Sequence, residues 1–72
     1  MEIWKKIYEL NKYVKFQLYN VDKLYVLQLF ELNDNPNDID VSCIWENDNI
    51  DLEYLFDEAL KWCKERIKEL DK

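Results

Sequence analysis

Sixteen of the 72 residues carry a carboxylate and none carries an imidazole. The ionisable groups left for chemistry are these acids, two thiols, five tyrosines and ten cations. Paired carboxylates can act as general acid and base in hydrolysis. At this density such pairs arise by chance along the whole chain, and no pair stands out. The absence of histidine removes the usual general base and the commonest metal ligand near neutral pH. Without glycine there is no phosphate-cradling loop of the P-loop or dinucleotide kind. Cys43 and Cys63 lie twenty residues apart with no CxxC pair, too few for a thiolate zinc site or a disulfide framework. The oxygen-rich segment from Asn33 to Asp40 lacks the glycine and the bidentate glutamate of a calcium loop, and Pro36 breaks the spacing. The expectation is a protein with no catalytic residues, no metal and no cofactor, which works by binding another macromolecule.

Where the acids fall matters more than their number. Ten lie between Leu24 and Leu60, a stretch with no lysine or arginine at all. The first twenty-three residues hold five bases against three acids, and so do the last twelve, which leaves a net charge of −6. Part of this pattern has an internal explanation. Asp51, Glu53, Asp57 and Glu58 precede Lys61, Lys64, Arg66 and Lys68, a gradient that complements a helix dipole. Glu31, Asp34, Asp38, Asp40, Glu46 and Asp48 have no such explanation. They are the candidate partner-binding residues.

The elements that would position them follow from periodicity. Residues 2 to 12 place Ile3, Trp4, Ile7, Tyr8 and Leu10 at helical spacing. The period then changes to two, with Val14, Phe16 and Leu18 alternating against Tyr13, Lys15, Gln17 and Tyr19, as in a half-buried strand. Turn residues at 20–23 lead into a second strand, Leu24 to Leu32, apolar enough to be central. A loop follows around Pro36, and then a third strand from Ile39 to Glu46 with Val41, Cys43 and Trp45 inward. Asn47, Asp48 and Asn49 offer N-caps for a long helix whose apolar face is Leu52, Leu55, Phe56, Ala59, Leu60, Cys63, Ile67 and Leu70. With no glycine, any turn that needs positive φ must use Asn or Asp. The whole chain, 1–72, is expected to be one α+β domain. It is a two-layer αβββα sandwich, a three-stranded antiparallel meander with both helices on one face.

In that arrangement the six acids line the third strand and its flanking loops, a ridge on the order of 25 Å long. Such a ridge repels nucleic acid and membrane surfaces and attracts basic grooves. The sheet face away from the helices would gather Tyr13, Tyr19, Val26, Phe30 and Ile44. Apolar and aromatic residues on an open face mark an interface, so homo-oligomerisation through it is the alternative expectation. No stretch has the basic-then-apolar form of a signal peptide, and Leu24 to Phe30 is far too short to cross a bilayer. A cytoplasmic location is expected.

The αβββα order is also that of double-stranded RNA-binding domains. Those need basic residues where this chain has Asp51, Glu53, Asp57 and Glu58, which excludes direct nucleic-acid binding of that kind. The chain more closely resembles the small acidic αβββα anti-CRISPR proteins of phages that block Cas9. The likeness spans nearly its whole length: a short helix over Ile3 to Leu10, a strand opening on Tyr13, Val14 and Lys15, the meander, and an acidic approach to a long helix. It is a likeness of layout and charge, with no diagnostic motif, and small acidic nuclease immunity proteins share it. The resemblance implies a phage-borne inhibitor acting in the host cytoplasm. Its acids would imitate DNA in a partner's basic nucleic-acid-binding groove, with Asp34, Asp38, Asp40, Glu46 and Asp48 as the counterparts.

Overall fold

The computed structural model describes residues 3 to 70, the side chain of Leu70 excepted. Helix α1 runs from Ile3 to Leu10; residue 2, where the first helix was expected to begin, lies outside the described residues. The face that α1 turns inward is Ile3, Lys6, Ile7 and Leu10, at the i, i+3, i+4, i+7 spacing of one helical stripe. Trp4 and Tyr8 point outward, with the Lys12 ammonium 5.2 Å from the centre of the Tyr8 ring. The helix ends by tightening. The amides of Tyr13 and Val14 both donate to the Leu10 carbonyl, at 3.0 and 3.1 Å, and turn the chain into the sheet.

Strands β1 (Lys15–Val21) and β2 (Leu24–Phe30) form a hairpin with Lys15 opposite Phe30 and Val21 opposite Leu24. Its two-residue turn needs a positive φ, and Asp22 supplies it at 61°. This is the substitute for glycine that the composition requires. Strand β3 (Trp45–Asn49) pairs antiparallel on the other side of β2, so the order is β1-β2-β3 with β2 central. Helix α2 (Leu52–Leu70) follows at once. The Asp51 carboxylate accepts hydrogen bonds from the amides of Glu53 (3.0 Å) and Tyr54 (3.3 Å), which makes it the N-cap. Asn47, Asp48 and Asn49, the expected caps, belong to β3 instead.

Both helices lie on one face of the sheet, as expected of a two-layer α+β sandwich. Leu27 and Leu29 of β2 meet Leu55, Phe56, Ala59, Leu60 and Cys63 of α2, and Leu10 and Val14 close one end. Phe16 sets its ring edge-on to Phe56 at 5.5 Å, and Trp45 lies against Trp62 at 6.4 Å. Each fully buried Leu or Phe here contributes roughly 1.5–3 kcal/mol over an exposed one. Leu52 packs against this core at the start of the α2 face, whereas Ile67 near its end is exposed.

The third strand is displaced from its expected place. Residues Ile39 to Ile44 were read as its first part, but they belong to a long loop, and the strand starts at Trp45. Local hydrogen bonds explain the difference. The Asn35 side chain accepts from the Asn37 amide, and the Asp38 side chain accepts from the Asp40 amide, both at 3.0 Å. Backbone bonds Asp34 to Glu31, Asp38 to Asn35 and Val41 to Asp38 complete a chain of turns. Side chains that bond their own backbone compete with a sheet ladder, and here they prevail. Ile39, expected to open the strand, is 97% exposed. The second strand is also shorter than expected, ending at Phe30 instead of Leu32.

Candidate interaction surface

The outer face of the sheet takes its residues from strict alternation. Phe16, Leu27, Leu29 and Trp45 point to the helices, so Lys15, Gln17, Tyr19 and Val21 point outward from β1. Leu24, Val26, Gln28 and Phe30 do so from β2, and Glu46 and Asp48 from β3. Cross-strand rows follow: Gln17, Gln28 and Glu46 in one, Tyr19, Val26 and Asp48 in the next.

The loop between β2 and β3 folds back over part of this face. Lys15 Nζ donates to the Asp34 carbonyl at 2.8 Å, and Gln17 Nε2 donates to Asn37 Oδ1 at 3.2 Å. Phe30 shares their face and is only 4% exposed. The Tyr19 hydroxyl donates to Gln17 Oε1. Gln28 Nε2 donates to Glu46 Oε2 at 2.6 Å, and the Cys43 thiol lies 4.0 Å from the same carboxylate. The result is a polar net tying loop to sheet, made by residues far apart in the sequence.

This geometry rearranges both sets of candidate residues. Of the six acids, Glu31 turns away from the others and pairs with Arg66 of α2. The guanidinium hydrogen bond holds its carboxyl below the usual glutamate range, and Arg66 in turn lies over the Trp62 ring at 5.4 Å. Glu46 and Asp48 sit on β3 itself, and Asp34, Asp38 and Asp40 on the loop that crosses the outer face. The expected ridge along a third strand is thus divided, three acids on the loop and two on β3, here termed the outer arc. Of the five residues expected on an open apolar face, Tyr13 and Ile44 pack against the core and Phe30 is buried. Tyr19 and Val26 do lie outward and opposite each other. Their exposed neighbours are Val21 and Leu24, which periodicity could have supplied had the turn been placed.

Other acids have partners inside the fold. Lys6 of α1 is buried and bonds both Glu53 Oε1, at 3.1 Å, and Asp57. The Asp57 bond raises the Lys6 pKa above its ordinary value, burial lowers it, and Glu53 adds to the rise. Glu9 pairs with Lys64 at 3.2 Å. Among the described residues no ion pair reaches Asp34, Asp38, Asp40, Glu46 or Asp48. Lys15 reaches Asp34 only at its backbone carbonyl.

Cys63 is shielded in the core. Burial pushes the Cys63 thiol up to about 11, which leaves little thiolate at neutral pH. Among the described residues no group of three or more Cys, Asp or Glu is placed to hold a metal ion. Nor is any helix among them long and apolar enough to cross a membrane. The elements together define an α+β domain of αβββα layout. No protein-family model, curated protein or solved structure matches the chain.

Proposed function

We propose that this chain is a non-enzymatic inhibitor, borne by a phage or mobile element, that binds a nucleic-acid-handling host protein in the host cytoplasm. One observation carries the reading: Asp34, Asp38, Asp40, Glu46 and Asp48 share a loop and an edge strand with no cation paired to them among the described residues. Unpaired carboxylates on a strand and the loop tied to its sheet present a negative field, and a basic groove built for phosphates is complementary to it. The hydrogen bonds from Gln28 to Glu46 and from the Asp40 amide to Asp38 hold part of that field in place. Preorganised charge costs less to bind than mobile charge.

The reading is tested by pull-down from bacterial lysate with the wild type and with Asp38→Lys/Asp40→Lys/Glu46→Lys. The account expects proteins captured by the wild type alone and released by added duplex DNA. Equal recovery of every partner by both forms would overturn it. The alternative, self-association through the open sheet face, has weaker support, because the fold withdraws Tyr13, Phe30 and Ile44 from that face.

A further inference from the structure

The two edges of the sheet differ in kind, and we infer that the β1 edge pairs two copies of this chain into one six-stranded sheet. In a two-residue hairpin the flanking pair, here Val21 and Leu24, exchanges both backbone hydrogen bonds. Alternation along the unbroken register then turns the backbone groups of Lys15, Gln17 and Tyr19 toward β2. Those of Phe16, Leu18 and Asn20 face the outer edge. Among the described residues no backbone hydrogen bond from outside the ladder reaches these three. The same counting across β2 leaves Glu46 and Asp48 facing outward on β3.

Each edge can be tested against its own copy. Antiparallel self-pairing of β3 about Asn47 sets Glu46 directly opposite the other copy's Asp48, and like charges so placed are destabilising. Self-pairing of β1 about Leu18 sets Leu18 opposite Leu18, Phe16 opposite Asn20, Gln17 opposite Tyr19 and Lys15 opposite Val21. No like charges meet. β3 therefore carries the charged guard that keeps sheet edges apart, and β1 does not. The only charge of β1 stands at its first residue, with its ammonium tied to the Asp34 carbonyl.

Packing on the helix side points the same way. Leu18 alternates with the inward residues yet is 38% exposed. Its neighbour Phe16 is covered by Phe56, but α2 packs against β2 and β3 and leaves the end of β1 bare. Opposite residues of an antiparallel pair point to the same face, so two Leu18 side chains would cover each other. The contact is isologous and closes at two copies, since the remaining edges are both the acidic β3. The twofold axis runs through the sheet, so the acidic arcs of both copies lie on the same side.

Such an edge contact is small, and the dimer is expected to form with rising concentration. Light scattering should find a mass approaching twice the 9.0 kDa of one chain at millimolar protein. Amide exchange followed by NMR should then show the Phe16, Leu18 and Asn20 amides gaining protection with concentration, while those of Glu46 and Asp48 do not. Leu18→Lys should remain monomeric with an unchanged circular dichroism spectrum. The inference fails if the wild type stays monomeric throughout. It fails equally if a dimer forms without protecting those three β1 amides, or if folded Leu18→Lys still dimerises. Should Leu18→Lys not fold, the wild-type exchange pattern decides alone.

Discussion

Two parts of one base-free stretch, the α2 approach and the outer arc, are both rich in acids and have opposite structural standing. Asp51 caps α2, and Glu53 and Asp57 hold the buried Lys6, so each of these acids has a task inside the fold. The side chains of Asp34, Asp38, Asp40, Glu46 and Asp48 bond an amide, a glutamine and a thiol at most, and no ion pair among the described residues reaches them. An acidic run in a sequence is thus not one feature. Its members separate only when their cations are located, and here the decisive cation, Lys6, comes from the other end of the chain.

The largest expected contrast lies in the apolar residues of the two parts. Phe56, between Glu53 and Asp57, is fully buried, and Phe56→Ala should cost about 3–5 kcal/mol by urea denaturation, enough to unfold much of a small domain. Ile39→Ser, in the arc, should change stability by less than about 0.5 kcal/mol. A comparable loss at Ile39 would mean that the loop belongs to the core. The caps come next. Asp51→Ala removes the acceptor of two helix amides and should cost about 1 kcal/mol, against a negligible change for Asp48→Ala.

Stability against pH gives the smallest effects and separates the pairs. The Glu31 pKa is lowered by Arg66, so its contribution is present above 4.5 and is lost as pH falls through the depressed value. Both partners are partly exposed, so less than about 1 kcal/mol is at stake. The Lys6 pKa is raised, so its contribution is complete below 10.5 and is lost as pH rises through the higher value. Thermal melts of Glu31→Gln should lose part of the acid-side decline, and those of Lys6→Met part of the alkaline one. Unchanged limbs would remove these pairs from the account.

Most of the scaffold was legible from the sequence. Helical spacing gave α1 and α2, and period two gave β1 and the hairpin, though β1 runs on through Asn20 and Val21, residues expected in the turn. The lack of glycine called for Asn or Asp at positive φ, and Asp22 takes that place. β3 was not legible, for a physical reason. Its segment, Trp45 to Asn49, is dominated by Asn, Asp and Glu, types that favour caps and turns, and it is a strand because Trp45 is anchored on Trp62 and β2 supplies the ladder. Ile39 to Ile44 alternates like a strand, yet the side chains of Asn35 and Asp38 commit the approach to turns. The acids of the arc lie outside α2, so the helix dipole does not account for them. That Glu31 would leave them depended on Arg66, thirty-five residues away and beyond the reach of any local pattern.

The division of the acidic stretch is tested most directly by urea unfolding at neutral pH of two neutralised variants. Glu53→Gln/Asp57→Asn leaves Lys6 without a counter-charge, and its midpoint should fall clearly below that of the wild type. Asp38→Asn/Asp40→Asn/Asp48→Asn keeps the turn-forming side-chain oxygens and relieves unpaired charge, so its midpoint should stay level or rise. A fall in the second variant as large as in the first would contradict the account, because the arc would then be part of what holds the fold together.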